Sequence, residues 1–387
     1  LTDISSEMIL TVLPLFLKNV LGVSTALIGV IEGVADSTAT LTRLPSGWLS
    51  DRLRRRKGLT LLGYGLSTIS KPFLYLASSW GLVMGVRFAD RVGKGVRTAP
   101  RDALLADSAP KEARGRSFGF HRAMDTAGAM VGILGAALIV FLMQRGGVNL
   151  ERNTFRTIVL VGTVPAVIAL IVLWRFVREA RAPERGAKQA DSAPSEGARF
   201  PTAFKVFLAI ALLFTLANSS DAFLILRAQD LGLSVLQILL VLAGFNLVYA
   251  ALSTHAGILS DRIGRRALIL GGWVAYALIY LGFAVAGAAW QVVFLFLAYG
   301  LYYAAAEGTA RSLVADLAPS SRRGAAYGIY HTAMGITAFP ASLLAGWLWQ
   351  AYSPRAPFLF SAAMAGLAAL LLTMFLRVRP IIGHDHN

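Results

Sequence analysis

The chain has 387 residues, 56% of them hydrophobic and only 15% charged, with a mean hydropathy of +0.61; water-soluble domains average about 45–50% apolar and about 25% charged, so an ordinary soluble globule is excluded. A net charge of +16 would suggest nucleic acid in a soluble protein. Here the cations cluster between apolar runs, as in Arg52-Leu-Arg-Arg-Arg-Lys57 and from Arg175 to Arg185, which reads as membrane topology and argues against a nucleic-acid partner.

Leu1-Thr-Asp-Ile-Ser-Ser-Glu7 lacks a basic stretch and a cleavage site, so no secretory signal is expected there. With no initiator Met, a short leader is expected to be missing. Apolar runs such as Ile158–Leu173, Ala267–Gly287 and Pro357–Leu376, with their flanks, approach the ~20 residues that a bilayer core of ~30 Å requires. Helices are expected near 1–20, 24–50, 58–79, 81–108, 114–144, 154–177, 203–229, 234–256, 266–287, 290–317, 323–350 and 356–378. The loops near 52–57, 110–116, 178–200, 262–266 and 319–323 are basic and the alternate loops are not. That alternation predicts about twelve spans with both termini cytoplasmic, in a cell's inner membrane. Trp80, Trp174, Trp290 and Trp349 fall at span ends and read as interfacial anchors. The Pro-, Glu-, Gly- and Ser-containing stretch after residue 179 is the one linker-like segment. It gives a six-helix N-terminal bundle over 1–179, a cytoplasmic linker over 180–200, a six-helix C-terminal bundle over 201–379 and a tail over 380–387.

The halves resemble each other. Gly47-Trp-Leu-Ser-Asp51-Arg52 recurs as Gly257-Ile-Leu-Ser-Asp261-Arg262, and Ala106-Asp107-Ser-Ala-Pro110 recurs as Ala315-Asp316-Leu-Ala-Pro319. Duplicated helix bundles with a site at their interface are an architecture of secondary transporters.

On these residues the chain resembles the major facilitator superfamily over its whole length. Gly47-x-Leu-x-Asp51-Arg52-x-x-Arg55-Arg56 looks like that superfamily's motif A, with a cleaner copy from Gly257 to Arg266 in which Gly264 stands where the first copy has Arg54. Arg91-x-x-x-Gly95 looks like motif B, with Lys94 where Gln is usual. Gly128-x-x-x-Gly132-Ile-x-Gly135 is similar to motif C of the antiporters, with Ile133 in place of the usual Pro. The resemblance implies an all-α membrane fold of twelve helices in two pseudo-symmetric bundles. It also implies a cytoplasmic gate in which Asp51, Arg52, Arg55 and Asp107, with Asp261, Arg262, Arg265 and Asp316, latch the outward-open state and separate when the cytoplasmic side opens. The plainer reading is a static salt bridge between loops. Gly47 and Gly257, without a Cβ, let neighbouring helices approach, and close packing equally accounts for the helix-five glycines.

A charge at the centre of a membrane helix costs ~2.5–3.5 kcal/mol on the insertion scale, so each is a functional suspect. Asp3 and Glu7 share a helix face, as do Glu32 and Asp36; helix four carries Arg87, Asp90, Arg91, Lys94, Arg97 and Arg101, and helix five His121, Arg122 and Asp125. The C-terminal half is poorer, with Asp221, Arg227, Asp230, His255, Glu307, Arg311 and His331; Asn246 matches Asp36, and Leu242 matches Glu32. The N-half is therefore expected to handle protons and charge, the C-half to shape the cavity. Glu7, Glu32, Asp36 and Asp125 are the candidate proton carriers. Arg91, Lys94 and Arg122 tune them or bind substrate, as do Asp221, Asn246, Glu307 and Arg311. A structural ion-pair network joining helices one, two, four and five is the alternative; Arg97, Arg101 and Asp102, near the cytoplasmic ends, lean to it.

No Walker loop or metalloprotease spacing occurs, so an enzyme is not expected, and the absence of cysteine excludes disulfides and thiolate metal sites. No cofactor or metal is expected, the proton gradient supplying the drive. His384 and His386 read as part of a mobile tail. The leading expectation is a monomeric, lipid-embedded, proton-coupled exporter of small organic compounds working by alternating access. The rivals are a carrier of an anionic metabolite bound by helix-four cations, and a transport-inactive sensor or scaffold that kept the fold.

Overall fold

The computed structural model describes residues 1–53, 56–108, 114–144, 147–179, 200–263, 265–318 and 323–378; side chains at 51, 114–116, 118, 253–266, 305–312, 315–316, 323–324 and 376–378 lie outside that description. Helix dominates, and no strand occurs among the described residues. In chain order the helices are α1 (Thr2–Leu10), α2 (Leu13–Asn19), α3 (Thr25–Leu53), α4 (Arg56–Ser70), the 3-10 segment η1 (Lys71–Leu76), α5 (Trp80–Ser108), α6 (Arg114–Gln144) and α7 (Arg152–Phe176). The second half holds α8 (Thr202–Ala217), α9 (Ala222–Asp230), α10 (Val235–Ile263), α11 (Arg265–Val285), α12 (Ala289–Leu317), α13 (Arg323–Ala351) and α14 (Ala356–Val378). Counting α1/α2, α4/η1 and α8/α9 as interrupted single spans, these make the twelve helices of a two-bundle fold.

Three expected helices are thus broken rather than continuous. The first bends between Thr11 and Val12, where Pro14 follows at the start of α2. The third tightens to 3-10 geometry at Lys71-Pro72, because Pro72 has no N–H to continue the α-helical ladder. The seventh opens between Ala217 and Ala222, where Tyr276 donates its hydroxyl to the freed Ala217 carbonyl (3.1 Å). The first and third of these breaks fall at matching places in the repeat. So do the two left-handed turn glycines, Gly22 (φ 63°) and Gly232 (φ 91°), positions that other residues occupy only under strain.

Apolarity is unevenly shared. Among the described residues, helical stretches apolar and long enough to cross a membrane are Gly119–Gln144 and Arg152–Phe176 in the first half, against Thr202–Asp230, Val235–Leu252, Ala267–Val285 and Ala356–Phe375 in the second. The remaining N-terminal helices carry the charges described below.

The halves meet mainly along α3 and α13, with a second seam between α6 and α10. Glycines make the first seam: a Cβ at Gly29 would collide with the Ser342 carbonyl and one at Gly346 with that of Thr25. Small residues permit such backbone contact where lipid supplies no hydrophobic drive. Ser37 adds a hydrogen bond to the Gly335 carbonyl (2.7 Å).

Candidate functional site

Between the halves lies a cavity of about 810 Å³. From α3 and α5 come Asp36, Arg43, Gly47, Arg91, Lys94 and Thr98; from the second half come Phe214, Asp221, Trp273, Tyr302, Tyr303, Tyr327, Tyr330 and His331. At one end it is shut. Thr25 hydrogen-bonds Gln350 (3.2 Å), Gln229 the Val148 carbonyl (2.9 Å), and the Val235 amide the Gly147 carbonyl (3.3 Å), each bond crossing between halves. The lining then runs from Asp36 and Asp221 to Gly47, Thr98 and Gly328, close to the helix ends that border the basic loops. The cavity therefore opens toward the basic end.

The two walls differ in chemistry. On the N-terminal wall, Arg91 and Lys94 make no side-chain hydrogen bond or ion pair with a described residue, and the buried Arg91 Nε is unsatisfied. Asp36 likewise faces the cavity without a side-chain partner among the described residues. Arg43, nearer the opening, is 3.6 Å from Asp102, which Arg101 also holds (2.9 Å). On the opposite wall, Trp273 stacks on Phe214 (centroids 4.5 Å apart). Asp221 accepts a hydrogen bond from Tyr299 (3.0 Å). Two unpaired cations facing an aromatic wall can hold the charged and flat parts of one organic molecule.

The other candidates scatter. Glu32 does not line the cavity; it is 5% exposed and forms an ion pair with Arg87, itself 3% exposed. Glu7 accepts from Thr11 (3.2 Å) inside the first bundle. Asp125 sits 3.2 Å from His121, and its charged neighbours include Asp3, Arg101 and Arg122. Arg122 reaches across the α6/α10 seam to the Tyr249 hydroxyl (2.8 Å). Asn246 turns back on the Leu242 carbonyl (2.9 Å) of its own helix. Arg97 lies over the Tyr64 ring (4.4 Å), and Arg227 clamps Asp230 (2.5 Å) and the Phe283 and Ala286 carbonyls.

At the basic end, Asp107 pairs with Arg56; Arg55, expected in the same cluster, lies outside the described residues together with Arg54. Arg56 also reaches the Ala103 carbonyl (3.0 Å), tying α4 to α5. Arg52 stacks over Trp48 (5.3 Å), and Gly47 lies against Ala99. The side chains of Asp51, Gly257, Asp261, Arg262, Arg265, Glu307, Arg311 and Asp316, like His255, lie outside the described ones, as do residues Gly264, His384 and His386. Gly128 and Gly132 pack on Ile4 and Gly135 on Met8, which is the close packing expected of small residues. One expected anchor is corrected: Trp349 is 8% exposed, wedged by Phe223, Phe358 and Lys18 at the shut end.

Two groups of residues escaped the sequence reading. One is Lys71, 1% exposed in the interior of the first bundle; a lysine inside a predicted span was signal enough. The other is the tyrosine cluster Tyr276, Tyr280, Tyr299, Tyr302 and Tyr303, whose helical three- and four-residue spacing was visible.

Comparison with known proteins agrees with this geometry. A profile of the Major Facilitator Superfamily matches residues 1–226 and 206–384. The chain is 36% identical over 378 residues to an uncharacterized MFS-type transporter of Methanocaldococcus jannaschii, covering 96% of this chain and 91% of that one. A shorter match, 29% identical over 135 residues, covers 35% of this chain and 33% of the class B tetracycline resistance protein of Escherichia coli. Among solved structures, a nucleoside transporter superposes with a TM-score of 0.80 at 12% identity, over 97% of this chain and 96% of that one. A bacterial homolog of the human lysosomal transporter Spinster, in an inward-facing and occupied conformation, superposes with a TM-score of 0.78 at 15% identity, over 98% and 95%. The chain belongs to the Major Facilitator Superfamily: it is a multi-pass membrane transporter of small molecules, not an enzyme.

Proposed function

We propose that this transporter is a proton-coupled exporter of small organic compounds, residing in the inner membrane with both termini in the cytoplasm. The observation that carries the reading is the interbundle cavity, shut at one end by hydrogen bonds between the halves and open at the basic end. With the basic loops cytoplasmic, this is an inward-open state, the class in which the Spinster homolog was captured. Export starts by loading such a cavity from the cytoplasm and continues when the bundles 1–179 and 201–379, joined by the 180–200 linker, rock to close it there and open it opposite. The partial match to tetracycline resistance proteins favours export of organic compounds. Of the carboxylates assigned to proton handling, Asp36 lies in the cavity and competes with or accompanies substrate directly, whereas Glu7, Glu32 and Asp125 act from behind it. The protein works as a lipid-embedded monomer.

A second reading, transport of an anionic metabolite, is favoured by one feature: Arg91 and Lys94 face the cavity without side-chain partners among the described residues. One experiment separates the readings. Purified protein in proteoliposomes with an internal pH dye is challenged with lipophilic cations, such as tetraphenylphosphonium, and with organic anions, such as benzoate. Proton movement evoked by cations and abolished by Asp36→Asn supports the exporter. A response to anions alone, abolished by Arg91→Ala, replaces it with the second reading. Binding of these probes without flux of any kind would contradict both and leave a sensor.

A further inference from the structure

Behind the cavity wall, in the interior of the first bundle, two opposite charges are buried without touching. Lys71, the first residue of η1, donates to the hydroxyls of Ser5 (3.1 Å) and Ser6 (2.9 Å) on α1, and no described carboxylate lies within ion-pair distance of it. Asp90 on α5 is 4% exposed and accepts from Ser67, one helical turn before Lys71. Each is the other's strongest charged neighbour of opposite sign. The helices carrying them are in backbone contact: a Cβ at Gly93 would lie 2.9 Å from the Ser67 amide nitrogen.

Packing does not require these charges, because the second half of the repeat does without them. α4 and α11 begin at residues 56 and 265, and α5 and α12 at 80 and 289, an offset of 209 in both cases. At that offset Ser67, Lys71 and Asp90 correspond to Tyr276, Tyr280 and Tyr299. Those three rings pack together, Tyr280 on Tyr276 at 4.1 Å and on Tyr299 at 6.0 Å. One backbone site is thus filled by an aromatic core in one half. In the other it holds an amine and a carboxylate solvated by hydroxyls alone, an arrangement that costs several kcal/mol while both stay charged and apart.

We infer that Lys71, with Asp90 as its counter-charge, is the site that takes up and releases the coupling proton; the inference rests on the proton-coupled reading above. The step is a simple protonation, the Lys71 amine taking a proton to become an ammonium. The ammonium donates to Ser5 and Ser6 as observed; the neutral amine can instead accept from one of those hydroxyls. A metal cation is disfavoured as coupling ion here, because the lysine nitrogen fills the place it would need. Asp90 adjoins Arg91, which together with Lys94 lines the cavity. A proton on Lys71 therefore adds positive charge directly behind the cation wall, favouring an anionic occupant and opposing a cationic one. The other charged groups around the pair are Asp3 on α1 and Arg91 and Arg97 on α5, the last stacked on Tyr64; Glu7 on α1 neighbours Lys94. Arg87 is held by Glu32, with Asp36 close by; Arg152 and Arg156 of α7 bind the Ala77 and Tyr75 carbonyls at the far end of η1.

The test needs no substrate. The chain has no cysteine, so Ser108→Cys on α5 and Ile329→Cys on α13 can carry spin labels on either side of the cavity mouth, and electron–electron distances can be measured in nanodiscs from pH 5 to 9. The otherwise unmodified protein is expected to shift between a short and a long distance population as pH changes. Lys71→Arg, which cannot release its proton, is expected to hold the low-pH population at every pH, and Lys71→Gln the high-pH population. Asp90→Asn, which keeps the shape and removes the counter-charge, should move the transition to lower pH. A lysine needed only as a structural cation would be rescued by Arg. A pH response in Lys71→Arg and Asp90→Asn identical to that of the parent overturns this site and leaves proton coupling standing; no pH response in the parent overturns both. Thermal melting of each variant confirms that it is folded.

Discussion

Where α5 buries Arg87 against Glu32, the equivalent turn of α12 buries Phe296 between Phe283 and its neighbours. Where α5 points Lys94 into the cavity, α12 points Tyr303. The correspondence extends to Lys71 and Tyr280, so much of the charge network in the first half has an aromatic counterpart in the second. The backbone repeat accommodates both because each solves the same packing problem, filling the space between two closely approaching helices. They differ in response. A stacked aromatic core has one charge state and holds its shape, whereas buried ionisable groups change their interactions with every proton gained or lost. On the proton-coupled reading proposed above, a ring-lined half facing a half that responds to protons is a workable division for a machine that rocks one bundle against the other.

The comparison can be attacked most strongly at its buried ion pair. Glu32→Ala leaves Arg87 uncompensated, and a loss of about 3–5 kcal/mol is expected in melting experiments; Glu32→Met/Arg87→Met should recover most of it. Phe296→Ala in the second half should cost a similar ~3–5 kcal/mol through the cavity it opens, but no second polar deletion should restore it. Recovery in both halves, or in neither, would erase the distinction. Next in size, Arg91→Ala removes a charged contact of ~1.5–3 kcal/mol, so affinity for an anionic probe should fall about tenfold or more by calorimetric titration. Unchanged affinity would remove Arg91 from the binding wall. An effect of similar size is expected at Tyr299→Phe, which deletes the hydrogen bond to the Asp221 carboxylate and keeps the ring: about 1.5–3 kcal/mol in melting, with little change in the pH dependence of transport. A large change in that dependence would place a proton-responsive group in the second half and contradict the division.

Twelve spans and the two-bundle fold were legible in the sequence from the alternation of basic loops and the internal repeat, with long apolar runs marking six of the spans. The concentration of charge in the first half was legible there too. What the sequence withheld was pairing. Glu32 and Asp36 look equivalent on one helix face, yet Glu32 is locked to Arg87 while Asp36 faces the cavity, a difference set by how α3 and α5 are rotated. The breaks at Thr11, Lys71 and Asn218 interrupt runs long enough to read as single spans, although Pro14, Pro72 and the polar stretch Asn218-Ser-Ser-Asp221 mark them in the sequence. Trp349 looked like an interfacial anchor because its position at a helix end says nothing about the Phe223 and Phe358 side chains that cover it.

The account stands or falls on whether the shut end must open. Thr25 and Gln350 meet there from the two halves, their side chains hydrogen-bonded at 3.2 Å. With no native cysteine in the way, Thr25→Cys/Gln350→Cys can be joined by a short reducible thiol crosslinker in proteoliposomes loaded with a transported probe. Alternating access predicts that the bridged protein still binds the probe but carries no flux, and that reduction restores transport. Undiminished flux through the bridged protein would show that solute crosses without separation of the halves at that end, and would contradict the mechanism.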